Sequence, residues 1–315
     1  MQILFKLTNA EAISFTSILS HVIGTRSVDG ENMVSIFRKI YHKPVLSQYD
    51  LALFRSPGPG LGNLLFPISR AIIASSKEGE FIFPTIRQIK IGTFLRGESD
   101  KRTYGNVFHH RSLKNWTKII DTATTRKISE DTPLPDRYAL TIRYKGLKSY
   151  FYDLMGYDKI ICNWIATHAR EHGFDQPEYD IAIHIRWGDF QPYKAGDSSG
   201  SIRQPLDWYR AAINFAIESR DLRSPKIVIF SDQSAERLGE FVKDYGAVID
   251  ESPNALSAMT HMSRAKLIIA SRSTFTMWGA FLGQCDVIWD EAFDYYPYWP
   301  HRDGADIKFH WDSSS

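Results

Sequence analysis

The stretch IAIHIRWGDF, residues 181–190, places a fixed positive charge at the end of a buried strand. The side chains of its first six residues alternate between the two faces of a strand. Three isoleucines lie on one face and Ala182, His184 and Arg186 on the other, before a Gly-Asp corner. An arginine keeps its charge, so at the tip of a core strand it requires an anionic partner. Two partners remain open here: an internal salt bridge to Asp189, or a bound anion.

Polar residues also follow a second predicted strand. The apolar run KIVIF, residues 226–230, is followed directly by Ser231 and Asp232. In open α/β sheets ligands bind beyond the carboxyl ends of the strands, so these residues are candidates for binding. Asp232 could bind a ligand at this edge, or it could cap a helix that starts near residue 234.

A third predicted strand, LIIA at 267–270, is followed by hydroxyl side chains before an apolar helix: Ser271, Ser273 and Thr274. Hydroxyls and free N–H groups at a helix N-terminus suit a phosphate, and the helix dipole adds to the attraction. Ser273 and Thr274 are also ordinary N-cap residues. Together with Arg186 on a neighbouring strand tip, they predict a diphosphate pocket.

A glycine-rich loop, PGPGLGNLLF at 57–66, joins a strand to a helix in the first half of the chain. Such a loop lets the backbone approach a ligand closely. Its glycines are spaced Gly58-x-Gly60-x-Gly62, which is not the dinucleotide fingerprint, and no Gly-Lys-Ser/Thr follows. The sequence therefore argues against both an NAD site and a Walker-type P-loop.

The elements that position these residues form a regular series in the second half of the chain. Short apolar strands alternate with amphipathic helices, which predicts a parallel sheet covered on both faces, as in a Rossmann-like domain. The predicted strands are 181–186, 226–230, 247–249, 267–270 and 286–289, and the predicted helices are 207–220, 234–245, 255–265 and 274–282.

The first half predicts a second α/β domain. It contains predicted strands at 51–56, 80–84 and 138–144, and predicted helices at 63–76 and 158–171. A hinge-like segment, HGFDQPEYD, follows, so we predict an N-terminal domain over 1–175 and a C-terminal nucleotide-binding domain over 176–315. Residues 1–50 match no pattern that we can assign.

Composition excludes several classes of protein. The 315 residues carry 38 Lys and Arg against 36 Asp and Glu, a net charge of +2, so no basic excess favours a nucleic-acid partner. Two cysteines, Cys162 and Cys285, indicate free thiols and a reducing compartment rather than a disulfide scaffold.

No apolar run is long enough for export or membrane insertion, which predicts a cytoplasmic protein. The acidic and histidine residues of the tail HRDGADIKFHWD are too scattered to predict a metal site.

Four segments, in order, resemble the motifs of the α-1,2-fucosyltransferases and, more distantly, the α-1,6- and protein O-fucosyltransferases. They are GPGLGNLLF at 58–66, HIRWGDF at 184–190, FSDQ at 230–233 and SRSTFTMWGAFL at 271–282. The resemblance implies a GT-B fold, with two Rossmann-like domains facing across a cleft. It further implies an inverting transfer of fucose from GDP-fucose to a glycan hydroxyl, most simply in an α-1,2 linkage, with no obligatory metal or other cofactor.

The resemblance also implies roles for particular residues. Arg186 would stabilise negative charge on the departing diphosphate, Asn63 would contact donor or acceptor near the reacting carbon, and Asp189 would orient Arg186 or act as a base. The residues expected to bind the nucleotide sugar are Gly60, Gly62, His184, Arg186, Ser231, Asp232, Ser271, Ser273, Thr274 and Phe275. For His184 a place in the core is an equal alternative.

The partners expected from this interpretation are a nucleotide-sugar donor and an oligosaccharide or glycolipid acceptor, with peripheral membrane association as an option. Two alternatives stay open, because fold does not fix function. One is a transferase that uses another nucleotide sugar, and the other is a non-catalytic nucleotide-sugar or glycan-binding module. Sugar rings could stack on aromatic residues near the presumed cleft; the candidates are Phe94, Tyr104, Trp187, Tyr193 and Trp208.

Overall fold

The computed structural model describes residues 39–46, 59–83, 113–135, 139–169, 178–188, 190–194, 197–234 and 236–311. From Lys39 onward these residues belong to one compact unit. Within it, two parallel sheets are packed with helices, so the predicted α/β class is confirmed. The predicted domain boundary at 175/176 lies outside the described residues and stays a prediction.

The smaller sheet has the strand order β2-β1-β4-β3, and each neighbouring pair is parallel. Its strands are β1 (Ile40–Val45), β2 (Glu80–Phe81), β3 (Arg126–Ser129) and β4 (Leu140–Lys145). The helices of this part are α1 (Leu61–Lys77), α2 (Leu113–Thr124), a 3₁₀ helix at Tyr150–Leu154, and α3 (Asp158–Ala169).

The larger sheet has the order β10-β9-β8-β5-β6-β7, again with parallel neighbours. Its strands are β5 (Tyr179–Ile185), β6 (Ile227–Ser231), β7 (Val248–Ile249), β8 (Ala265–Ile269), β9 (Asp286–Asp290) and β10 (Asp306–Phe309). The intervening helices are α4 (Leu206–Ser219), α5 (Gly239–Asp244), α6 (Ala255–Met262) and α7 (Thr274–Gly283).

Both faces of the larger sheet are buried, as the apolar strands predict. Ile181, Ile183 and Ile185 pack with α4 residues in one core cluster, whereas Ala182 belongs to a second cluster that contains Trp278 of α7. The alternation along β5 therefore sends His184 to the α7 face of the sheet.

Several sequence-based elements need correction. Strand β1 was not predicted because Pro44 and a charged residue interrupt its pattern; Pro44 lies beyond the two residues that pair with β2. The tail HRDGADIKFHWD was not predicted to contain a strand, but Asp306–Phe309 forms β10, where buried Asp306 accepts hydrogen bonds from Trp299 and Arg302.

The remaining differences concern element ends. Helix α5 begins at Gly239 rather than 234, since backbone turns occupy 236–238. The predicted strand at 80–84 has only two residues in the sheet, and the one at 51–56 lies outside the described residues. Asn254 caps α6 as its position suggests, accepting hydrogen bonds from the Leu256 and Ser257 N–H groups.

A buried arginine fixes α1 against the carboxyl end of β4. Arg70 forms an ion pair with Glu130 at 2.9 Å and donates to the carbonyl oxygens of Lys145 and Gly146 at 2.9 and 3.0 Å. This holds the helix that carries Gly62 and Asn63. In the described part of the chain, none of the helices is long and apolar enough to cross a bilayer.

Candidate functional site

The strand order of the larger sheet contains a topological switch point between β5 and β8. From β5 the chain moves outward through β6 and β7, and then returns to place β8 on the other side of β5. Ligands of such sheets bind in the crevice outside the carboxyl ends of the two strands at the switch point. Arg186 directly follows β5 and Ser271 lies two residues beyond β8, so the fold places both at this position.

Arg186 lies at the carboxyl edge and its partner is Asp232. The guanidinium Nη1 is 3.0 Å from Asp232 Oδ2, and the Arg186 and Asp232 side chains are 27% and 19% exposed. The guanidinium also lies over the Phe190 ring, 5.7 Å from its centroid. Asp189, the expected orienting residue, lies outside the described residues.

Asp232 is itself held by the turn that follows β5. Its two carboxylate oxygens accept hydrogen bonds from the N–H groups of Trp187 at 3.0 Å and Gly188 at 2.8 Å. Burial by itself raises the pKa of this carboxyl, but these bonds and the Arg186 charge more than offset it, so the pKa lies below its ordinary value. A Cβ on residue 188 would come within 2.5 Å of Asp232 Oδ2, so glycine is required for this close approach. Asp232 does not cap the helix that follows.

A cluster of hydroxyls surrounds His184 below the crevice. Its Nδ1 lies 2.7 Å from Ser271 Oγ and 3.4 Å from Ser273 Oγ, and Thr276 Oγ1 completes the group. Burial, and then the nearby Arg186 charge, lower the pKa of His184 to about 3. The imidazole is therefore neutral near pH 7, so it can orient the hydroxyls but brings no charge to the site.

Two predicted binding residues have structural hydrogen bonds. Ser273 is the N-cap of α7 and accepts a hydrogen bond from the Thr276 N–H. Ser231 Oγ donates to the Ile185 carbonyl at 2.9 Å and accepts from the Gln233 N–H at 3.0 Å, which ties the ends of β5 and β6 together.

The start of α1 meets the start of α7. Thr274 Oγ1 donates to Asn63 Oδ1 at 2.9 Å, and Trp278 Nε1 donates to the Gly62 carbonyl at 2.7 Å. A Cβ on Gly62 would lie 2.9 Å from Thr274 Oγ1 and 3.2 Å from the Phe275 N atom, so the two helix starts are in direct contact. The Phe275 ring, in turn, lies 5.0 Å from that of His184. The structure thus brings the glycine loop from Gly60 onward to the C-terminal motif residues.

The electrostatics of this edge favour an anion. Neither α1 nor α7 has an acidic residue in its first turn, and Gly60 offers no side-chain cap to α1. The positive ends of two helix dipoles therefore lie near the hydroxyls of Ser273 and Thr274. Across the described part of the chain, no group of three or more His, Cys, Asp or Glu side chains is arranged to hold a metal ion.

The aromatic candidates divide among several environments. Trp208 is completely buried in the core beneath β5, so it is not a sugar platform. Trp187 Nε1 donates to the Gln204 carbonyl, and Tyr193 packs against Trp311. Phe94 and Tyr104 lie outside the described residues.

A buried ion pair beside the hydroxyl cluster was not predicted. Arg272, between Ser271 and Ser273, pairs with Asp290 at the end of β9, and both side chains are less than 10% exposed. The available signal was an arginine within a serine-rich motif beyond a core strand. The sequence alone did not indicate whether the Arg272 side chain is buried or exposed to solvent.

A cavity of about 560 Å³ lies at the opposite edge of the sheet. Its lining includes Cys162, Ser263, Gln284 and Cys285, near the starts of β8 and β9. Both cysteines are free, as predicted. The cavity does not contain any of the residues that the motifs predict to bind.

No family model and no curated protein matches this sequence. Among solved structures, POFUT1 in complex with GDP is similar over 79% of this chain and 98% of its own, with 11% identity and a TM-score of 0.42. The NodZ α-1,6-fucosyltransferase co-crystallized with GDP is similar over 78% of this chain and 92% of its own, with 12% identity and a TM-score of 0.35. Fucosyltransferase NodZ from Bradyrhizobium has 11% identity over 78% of this chain and 92% of its own, and a TM-score of 0.32. The similarity is distant and does not indicate what this chain binds.

Proposed function

We propose that the chain is an inverting, metal-independent glycosyltransferase that moves fucose from GDP-fucose to a glycan hydroxyl. The observation that carries the proposal is the position of Arg186 at the end of β5, across the switch point from the hydroxyl-bearing start of α7. A permanent cation, hydroxyl donors and helix N–H groups at one crevice are the groups that a nucleoside diphosphate requires.

Arg186 would act on the leaving group. Breaking the bond between the sugar and the diphosphate leaves negative charge on the β-phosphate, and a guanidinium on a rigid strand stabilises that charge as it develops. One preorganised donor of this kind is worth about 3–4 kcal/mol of barrier. Because Asp232 holds Arg186 and is itself held by two backbone N–H groups, the cation is oriented before the donor binds.

The acceptor hydroxyl would attack the sugar carbon on the face opposite the diphosphate. The carbon–diphosphate bond breaks, the new carbon–oxygen bond forms, and the hydroxyl proton passes to solvent or to a base. His184 is buried and bonded to hydroxyls, so we do not assign it as that base. If the transition state is oxocarbenium-like, the proton leaves late and a strong base is less necessary. Asn63, at the start of α1, is proposed to contact the donor or acceptor near this carbon.

The choice of fucose, of guanine and of an α-1,2 linkage rests on the four sequence motifs that resemble fucosyltransferases. The acceptor class that accompanies it is an oligosaccharide or a glycolipid. The cytoplasmic location is proposed from the composition. We also place the switch-point site between two Rossmann-like domains, in the GT-B manner, as part of the same proposal.

A nucleotide panel in thermal unfolding tests the donor. A ligand that binds only the native state stabilises it by about 2.7 kcal/mol at one hundred times its dissociation constant. We expect GDP to raise Tm more than UDP or CMP, with or without EDTA. Equal shifts for the three nucleotides, or a GDP shift that EDTA abolishes, would contradict the proposal.

A second measurement separates catalysis from binding. Slow release of GDP from GDP-fucose in water, faster with a glycan acceptor, is the expected result. GDP binding without any release would favour the non-catalytic module. Release from a different GDP-sugar in preference to GDP-fucose would favour the other transferase.

A further inference from the structure

Arg272 makes an unusual set of contacts for a residue between two hydroxyl side chains. Its Nε and Nη2 donate to Asp290 Oδ2, the former at 3.1 Å, and its Nη1 donates to the carbonyl oxygens of Asp197 and Ser199, the latter at 3.0 Å. The Arg272 side chain is 1% exposed. One buried guanidinium thus joins the ends of β8 and β9 to a loop that follows β5.

The segment 197–204, which we call the wall segment, is bonded at both of its ends. At one end, Arg272 Nη1 donates to the carbonyls of Asp197 and Ser199, and the Ser201 N–H donates to the Arg272 carbonyl at 3.3 Å. At the other end, Trp187 Nε1 donates to the Gln204 carbonyl at 2.9 Å, and Arg203 Nη2 donates to the Gly188 carbonyl at 3.0 Å. The wall segment therefore joins the turn that carries Arg186 to the start of α7, on both sides of the switch point.

Stability alone does not explain this ion pair. Buried ion pairs are costly to desolvate, and apolar residues of the same volume often serve equally well. What an apolar pair lacks is the ability to hold two backbone carbonyls of a loop in place. A lysine would keep the charge but has no planar fork, so it could not bond Asp290 and both carbonyls together.

We infer that Arg272 is a positioning residue of the nucleotide site, and that it acts by fixing the wall segment beside the crevice. The inference rests on the proposed function, because the site is taken to bind a nucleoside diphosphate. It adds a residue that touches neither donor nor acceptor but determines the shape of the place where the donor binds.

The test compares Arg272→Lys with the matched control Arg302→Lys. Arg302 also pairs with a buried aspartate, Asp306, and donates to a backbone carbonyl, that of Cys285, but at the opposite edge of the sheet. Amide hydrogen exchange of the ligand-free protein and the GDP dissociation constant are measured for both. We expect exchange in the wall segment to become about tenfold faster in Arg272→Lys, which corresponds to the loss of one charged hydrogen bond. GDP affinity should fall by a similar factor and the KM for GDP-fucose should rise, whereas Arg302→Lys changes none of the three.

A double variant protects the test against a general loss of folding. Arg272→Met with Asp290→Leu replaces the pair by apolar side chains, which keeps the volume and removes the donors to the wall segment. It should melt close to the wild type and still show fast exchange and weak GDP binding.

Unchanged exchange, or fast exchange with unchanged GDP affinity, would overturn the inference. If the wild-type protein bound no GDP, the proposed function would fail, and the link to a nucleotide site with it. The exchange data would then show separately whether Arg272 fixes the wall segment.

Discussion

Replacing Arg186 separates its role in chemistry from a role in folding. Arg186→Lys keeps a cation but loses the planar two-pronged contact with a phosphate, and Arg186→Ala loses both. We expect turnover to fall in the order wild type, lysine, alanine, with alanine slower by at least about a hundredfold. GDP affinity should fall much less, because the contact strengthens only as the bond to the diphosphate breaks.

The structure predicts a small effect of the same change on stability. The Arg186 side chain is 27% exposed, so solvent screens its pairing with Asp232. When Arg186 is removed, Asp232 keeps its hydrogen bonds from Trp187 and Gly188 and is not left as an unpaired buried charge. The free energy of unfolding should therefore fall by about 1 kcal/mol or less. In a chain of 315 residues that lowers Tm by at most about 2 °C.

Arg210→Ala is the matched control. Arg210 has a similar exposure of 32%, pairs with Asp244 and lies over the Phe241 ring. It lies on α4 and both of these partners lie on α5, so it is not part of the crevice. Melting temperature, GDP affinity and release of GDP from GDP-fucose are measured for both variants. Normal turnover in Arg186→Ala would refute the leaving-group mechanism. A large loss of stability with little specific loss of turnover would show that Arg186 is a structural ion pair.

Two further predictions concern the helix starts and the hydroxyl cluster. Gly62→Ala should lower the free energy of unfolding by about 1–3 kcal/mol and weaken GDP binding, because its Cβ collides with Thr274. Gly239→Ala is the control: its Cβ enters open space at the start of α5, so it should not lower the free energy of unfolding and should leave GDP binding unchanged. Equal behaviour of the two variants in melting and GDP titration would disprove the contact. Because the pKa of His184 falls from 6.5 to about 3 on folding, the unfolded chain binds the extra proton between these values, and stability should decrease as pH falls through this window by up to about 1.4 kcal/mol per pH unit. The free energy of unfolding, measured by urea unfolding between pH 6.5 and 4.5, should change with pH less steeply in His184→Asn than in the wild type, by up to that amount. An identical pH dependence in the two proteins would contradict a neutral buried imidazole.

The elements of the larger sheet were predictable where their patterns are local. Alternation identified β5 and continuous apolar runs identified β6, β8 and β9, all to within two residues, because both faces of a parallel sheet are buried. Strand β10 was missed because DIKF is polar at alternate positions and lies in a charged tail. Its pairing with β9, which the local pattern does not indicate, makes it a strand. Strand β1 was missed because proline is a poor indicator of a central strand.

The candidate site was predictable in its residue types and less so in its contacts. Residues after β5 and β8 could be named from the sequence alone, since the carboxyl ends of parallel strands are the binding edge. The role of Ser273 as an N-cap was one of the open alternatives. Arg272 was missed, because an arginine in a loop gives no sequence signal of whether its guanidinium is buried.

The sequence by itself determined most strands and helices of the larger sheet, and the charged and hydroxyl residues at their ends, because these follow from patterns a few residues long. The tertiary structure decided which of these residues meet. The register of β5 and β6 pairs Ile185 with Ser231, and so brings Arg186 to Asp232, 46 residues away. Packing of α1 on α7 brings Asn63 to Thr274 across 211 residues. Such contacts depend on sheet order and helix packing, which are properties of the whole fold and are not encoded in the spacing of any one motif.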